Sequence, residues 1–475
     1  MRDARGMTSV LRAVLVRVPL AVGIVLAILL LVAVFSLLYR YEQARRGLGG
    51  VDSGARPQAA YAETAVAAGR YEIEAALTFF ETGTREAVAP LVWDDAWAVA
   101  DPYIYNHELA RTASVLSSLA YAESGHYQSG ADGPAYMEEA LHGLGFTEVS
   151  TDSYRYRSEI VDQVLNVFTS EEDSVAYAMA RKRVAVGDET RSVIVVAVRG
   201  SYGAEWVSNL YLHDERSVAE GLEGYHRGYS DGADEIYAAL EPWVRESHAR
   251  GDAVTVVLTG HSRGGAIANI VAAMADDELA GCGVSGDAAG EDAAAGEDAA
   301  CDAMDAPDAP MGLASGDAVC AYTFASPGCT TSAAVSDARY NNIFNIVNLA
   351  DMMTYLPLSA WGYERYGVDI ELPGLDDEAF DERFEAFCAS YEQLVGADAA
   401  GEGSPYNPEN EQAVRSVIDD VSAKVASVSE LTTPGGVASV VQALVAHIDP
   451  FQILHGHYQS VYVAWMLSLD EGALA

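Results

Sequence analysis

Basic side chains are scarce in this sequence: 28 Lys and Arg stand against 70 Asp and Glu, a formal net charge of −42. So acidic a chain repels phosphate backbones, which excludes nucleic acid as a partner. It also disfavours adsorption to anionic lipid, so any attachment to a membrane has to be hydrophobic. Cysteine is sparse as well. The five thiols, Cys282, Cys301, Cys320, Cys329 and Cys388, are odd in number and include no C-x-x-C pair, so neither a cysteine metal cluster nor a dithiol redox centre is indicated. Free or buried thiols are the simplest reading, with a bridge such as Cys282 to Cys301 as the alternative.

A different absence marks the N-terminal region. Val18–Leu38 contains no charged residue and is mostly Leu, Val, Ile and Ala. At 1.5 Å rise per residue these 21 positions match a bilayer core of about 30 Å. A cleaved signal peptide has a shorter apolar region and ends at a small-x-small site, whereas this run ends in Leu37-Leu38-Tyr39-Arg40. Arg2, Arg5, Arg12 and Arg17 precede the run, while Arg40, Arg45 and Arg46 follow it, a slight bias toward a cytoplasmic N-terminus. The expectation is a short cytoplasmic segment (1–17), an uncleaved single-pass anchor in the cell membrane (18–38) and an extracytoplasmic remainder.

Residues 39–105 are rich in Ala and Glu, with stretches such as Ala59–Glu81 that suggest a helical stalk or packing segment. From 106 to 475 the pattern alternates. A helical run, Glu108–Glu123, precedes strand-like Ser174–Val184 and Ser192–Val198, the second rich in Val and Ile as a buried parallel strand should be. Helix Ala233–Ala249, with Asp231 as N-cap, then strand Ala253–Leu258 and helix Gly264–Ala275 follow. Strands resume at Val319–Phe324 and Asn342–Leu349. Such β, α, β, α order predicts an α/β fold with a mostly parallel central sheet covered by helices. Two insertions break it: 276–317, with no basic residue and the repeat Gly290–Ala294 at Gly296–Ala300, reads as a disordered surface insert. The acidic helical stretch of about 376–431 reads as a cap or as surface helices, before the apolar helix Val437–His447.

The pattern G-x-S-x-G occurs twice, at Gly260-His261-Ser262-Arg263-Gly264 and at Gly228-Tyr229-Ser230-Asp231-Gly232, so context has to choose between them. A nucleophile elbow needs a buried strand before the serine and a helix directly after it, with small residues where backbones crowd. Only Ser262 has that setting; Ser230 follows the polar Tyr225-His226-Arg227. In α/β-hydrolases an acid and then a histidine follow the serine in chain order. Asp351 ends the strand-like run Ile343–Ala350, where a carboxylate emerges at the ligand-binding edge of such a sheet. Downstream, His447 closes an apolar helix and reads as structural, while His455 and His457 both remain open as the base. No carboxylate or cysteine cluster accompanies that pair, which argues against a metal, and no cofactor is called for. An oxyanion needs two backbone N–H groups: Arg263 supplies one, and Ser201, in the Arg199-Gly200-Ser201 loop after a strand, supplies the other.

Several separated blocks resemble the class 3 lipases. They are Val195–Tyr202 with Trp206–Leu210 after it, Tyr225–Gly228, the elbow block Val257–Ala268, Phe324–Pro327, Asn348–Pro357, and His457 followed by Tyr462. Asn209 stands where the family has Asp, and Met353-Thr354 replace Val-Pro. The resemblance covers roughly 108–466 and favours His457 over His455. It implies metal-free hydrolysis of lipid or other carboxylic esters through Ser262, Asp351 and His457, and a lid at Gly203–Ser217. Competing readings are a thioesterase or peptidase on the same three residues, and a surface binding module that has lost activity. The three members standing in order speak against the last.

Overall fold

The first described elements are strands: β1 (Val66–Ala67), β2 (Arg70–Thr78) and β3 (Glu86–Asp94). β2 and β3 pair antiparallel from Arg70 opposite Asp94 to Thr78 opposite Glu86. Over the described part of 39–105 this corrects the expected helical stalk: 66–67, 70–78 and 86–94 are strands. Ala and Glu favour helix, but the side chains follow period two. Ala75, Leu77, Ala89, Leu91 and Trp93 are buried, while Glu72, Glu74, Glu86, Val88 and Pro90 face outward. Burying one face of the hairpin against the body outweighs the helical preference of its residues.

The computed structural model describes residues 64–79, 86–129, 135–155, 175–201, 227–281, 310–396, 407–427, 430, 434–447 and 455–474. The anchor segment 18–38 and the lid segment 203–217 lie outside them. Among the described residues, no helix is long and apolar enough to cross a membrane.

The remaining strands are β4 (Glu148–Ser150), β5 (Tyr177–Val186), β6 (Glu189–Val198), β7 (Ala253–His261), β8 (Ala318–Phe324), β9 (Ile343–Val347) and β10 (Val368–Glu371). They form an 8-stranded sheet in the order β1-β5-β6-β7-β8-β9-β10, with β4 also on β5. β6 to β10 run parallel. β5 is antiparallel to β6 because only Gly187 and Asp188 join them, too few residues for a crossover.

The helices are α1 (His107–Ser129), α2 (Tyr136–Gly143), α3 (Arg227–Ala249), α4 (Arg263–Leu279), α5 (Phe380–Val395), α6 (Asn410–Lys424), α7 (Pro434–His447) and α8 (Gln459–Ser468). Alternation along β6 divides the core. Val193, Val195 and Ala197 join the cluster containing α1 and α8, and Ile194, Val196 and Val198 join the one containing α3 and α4. The result is an α/β fold with a mostly parallel sheet covered by helices, with the carboxyl ends of β6, β7 and β9 on one edge.

Three expectations shift in detail. Asp231 lies inside α3 instead of capping it, because the helix starts at Arg227. Asp276–Leu279 belong to α4 and not to the acidic insert. At the other end of the insert, the N–H groups of Met311, Gly312 and Leu313 donate to the Glu278 carboxylate at 2.8, 2.7 and 2.9 Å, so that segment is held too; 282–309 lie outside the described residues. In the stretch from about 376, α6 and α7 share a small apolar cluster with Met352 and Leu358, just after Asp351.

Candidate active site

Ser262 follows β7 and caps α4 with φ 58° and ψ −129°. A non-glycine residue held there stores about 1–3 kcal/mol and persists only where its surroundings enforce it. Its N–H donates to the Phe324 carbonyl at 2.9 Å, and its carbonyl accepts from Ala266 N–H at 3.1 Å. A Cβ on Gly260 would overlap the Gly264 carbonyl, and one on Gly264 would overlap the Val198 carbonyl. Both glycines of the pattern are therefore steric requirements. Ser230, in the second match, lies within α3.

The close approach of Gly264 to the backbone of Val198–Gly200 sets the Arg199–Ser201 loop against the elbow. Arg199 is buried there, its Nη1 donating to Ser124 Oγ at 2.5 Å and its Nε to the Gly200 carbonyl at 3.1 Å. Arg263 opens α4, where a first-turn N–H has no partner within the helix.

Asp351 is fully buried at the start of a 3-10 turn, Met352–Tyr355. Its Oδ1 accepts from Met353 N–H at 2.9 Å. Its Oδ2 accepts from His457 Nδ1 at 2.8 Å and from the Tyr462 hydroxyl at 2.8 Å. Where the class 3 pattern has Val-Pro, Thr354 donates its hydroxyl to the Asp351 carbonyl at 2.8 Å, which tightens the same turn.

His457 lies in a second 3-10 turn, His455–His457, with Nε2 2.8 Å from Ser262 Oγ. A carboxylate at Nδ1 fixes the proton on that nitrogen and leaves Nε2 as the acceptor. The structure thus brings Ser262, His457 and Asp351 into one line of hydrogen bonds. His455, two residues away, faces the ring of Tyr458 instead, at 5.2 Å. His447 pairs with Asp420 of α6 at 3.2 Å on the surface.

Two residues to which the sequence assigns no role complete the arrangement. Asn348 Nδ2 donates to the Gly456 carbonyl at 2.8 Å, tying the loop of Asp351 to the loop of His457. Tyr121 of α1 reaches His261, the unspecified position of the motif. Nothing in the periodicity of α1 distinguishes Tyr121 from a core tyrosine.

Residues 195–279 match the model of the Lipase (class 3) family. A secreted mono- and diacylglycerol lipase of Fusarium solani is 32% identical over 87 residues, 18% of this chain and 26% of the relative. Over that matched segment the chain is similar to the class 3 lipases. The chain spans about a quarter of the length of this curated relative. The Rhizomucor miehei lipase–propeptide complex is similar at a TM-score of 0.32 and 16% identity, over 70% of this chain and 80% of that one. A lipase from Rhizopus microsporus var. chinensis gives 0.30 and 16%, over 56% and 73%. The matched segment, 195–279, runs from within β6 through α4 and so contains Ser201, Ser262 and Arg263; Asp351 and His457 lie beyond it.

Proposed function

We propose that this chain is a serine-dependent carboxylic ester hydrolase acting on acylglycerols or phospholipids. The observation that carries the reading is the continuous pair of 2.8 Å contacts from Ser262 Oγ through His457 to a fully buried Asp351. In this mechanism His457 Nε2 takes the Ser262 proton as Oγ attacks the ester carbonyl. Asp351 orients the imidazole and stabilises its cation without itself being protonated. The N–H groups of Ser201 and Arg263 hold the oxyanion, each worth on the order of 3 kcal/mol. Collapse expels the alcohol with the proton from His457. Water, deprotonated by His457, then releases the acid and restores the serine.

The choice of an acylglycerol is supported by the Fusarium relative, which is named for mono- and diacylglycerols. Attachment to a membrane, with this domain outside the cytoplasm, is supported by the charge-free run 18–38. A panel of short-chain esters, mono- and diacylglycerols, phospholipids, thioesters and peptides tests the reading. Turnover of oxygen esters that is abolished in Ser262→Ala is expected; turnover of thioesters or peptides alone would contradict it. Retention of the chain in the membrane fraction after alkaline carbonate tests the anchor, and its release would refute it.

A further inference from the structure

Beside the line of hydrogen bonds lies a buried pair that the hydrolytic reading leaves unused. His261 is 2% exposed, and its ring centroid is 4.8 Å from that of His457, tilted by 50°. Tyr121 meets it edge-on, with the hydroxyl 3.2 Å from Nδ1 and 3.3 Å from the His261 carbonyl oxygen. Tyr462 flanks it at 5.5 Å between centroids. Among the described residues, Nε2 of His261 is buried and makes no hydrogen bond.

The two neutral tautomers are not equivalent here. With the proton on Nδ1, that N–H donates to the Tyr121 hydroxyl, whose own proton goes to the His261 carbonyl oxygen, so both contacts are satisfied. With the proton on Nε2, Nδ1 and the His261 carbonyl would compete for the single Tyr121 proton, and the buried Nε2–H would have no acceptor. The same hydroxyl lies where a side chain on Gly200 would go, so Tyr121 braces the oxyanion loop as well.

Building on the proposed hydrolase function, we infer that His261 is a positioning residue for His457. Its ring lies against that of the base with the Nε2 lone pair uncommitted, and its Nδ1 is locked by Tyr121, so the base keeps its distance from Ser262 through the proton transfers. Burial first, and the neighbouring His457 second, hold His261 well below the ordinary imidazole range. The cation formed at His457 during turnover therefore faces a neutral ring. The titratable groups facing His261 are Tyr121 from α1, His457 from its turn and Tyr462 from α8, with Asp351 one hydrogen bond further on.

The test is steady-state hydrolysis of p-nitrophenyl butyrate by the full chain from about pH 5 to pH 9, where imidazole titrates. Wild type, His261→Phe, His261→Gln and Tyr121→Phe are compared, each with its thermal midpoint. His261→Phe is expected to lose about 10-fold to 100-fold in kcat with KM nearly unchanged. Its acid limb should move to lower pH, because an apolar ring solvates the His457 cation less well. Glutamine, whose amide oxygen can accept from near the Nε2 position, should recover most of the rate and the normal limb; Tyr121→Phe should fall between. The inference is overturned if His261→Phe keeps the wild-type kcat and pH profile, or if Gln does no better than Phe. If His261→Phe does not fold, Tyr121→Phe decides, and an unchanged kcat and acid limb overturn the inference. Wild-type protein inactive on every ester would remove the hydrolase reading itself, whereas an active wild type with indifferent variants removes only the role of His261.

Discussion

Gly456 packs so closely on Ala350 that a Cβ at position 456 would lie 2.5 Å from the Ala350 carbonyl oxygen. The loops that carry Asp351 and His457 are thus fused at their backbones, and Asn348 stitches them again through the Gly456 carbonyl. Gly456→Ala is expected to push the two loops apart by a few tenths of an ångström or more. Displacements of about 1 Å at a reacting centre cost about 100-fold in rate. Measured kcat on a soluble ester should fall by about that factor while the circular dichroism spectrum stays native; an unchanged kcat would show that the fusion does not position the base.

Tyr462 is the second donor on the Asp351 oxygen that receives His457 Nδ1. Removing it leaves a buried carboxylate short of one hydrogen bond, a loss of about 1.5–3 kcal/mol. Expressed in the transition state, that is roughly 10-fold to 100-fold in kcat. Kinetics of Tyr462→Phe check this, and a rate within twofold of wild type, at roughly 0.4 kcal/mol, would show the hydroxyl to be dispensable.

The β2–β3 hairpin is locked to the sheet by Lys182, whose ammonium meets Asp95 at 2.6 Å with both side chains fully buried. It also lies over the rings of Tyr71 and Phe146, at 4.4 and 4.6 Å. Lys182→Met removes the counter-ion of Asp95, leaving it only the Trp93 and Gly69 N–H donors, and should cost about 3–5 kcal/mol in chemical denaturation. Burial lowers the Lys182 pKa to about 8, against the pull of Asp95. Between that value and the ordinary lysine range the unfolded chain therefore holds more protons than the folded one, so this group makes stability rise with pH there. The stability difference between wild type and Lys182→Met should widen in favour of wild type from about pH 8 to pH 10. A difference that narrows would contradict this reading of the cage.

Cys320 and Cys329 are both buried, and burial raises each thiol to about 12. Neither should react with iodoacetamide in the native protein at about pH 8, since the thiolate is the nucleophile. Peptide mapping before and after denaturation checks this; native labelling of either would contradict its burial.

Much of the sheet is legible in the sequence because its strands are unbroken β-branched runs bounded by turns, as Ser192–Val198 and Ala253–Leu258 show. The segment before it is not, because Ala and Glu in Arg70–Thr78 carry helix propensity and only tertiary burial of alternate residues makes it a strand. At the site, Ser262 is legible from the strand before it and the helix after it, and Asp351 from its place after β9. Tyr121 and the bond from Asn348 to Gly456 are not: the hydroxyl and amide act across long sequence separations, and such contacts leave no periodic trace.

The measurement that bears most directly on the central claim is covalent labelling with a fluorophosphonate followed by peptide mass analysis. The account predicts one phosphonyl adduct, on the peptide containing Ser262, absent from Ser262→Ala and slowed in His457→Ala and Asp351→Asn. Wild-type protein that stays unlabelled while other serine hydrolases react, or an adduct that persists in Ser262→Ala, would contradict it.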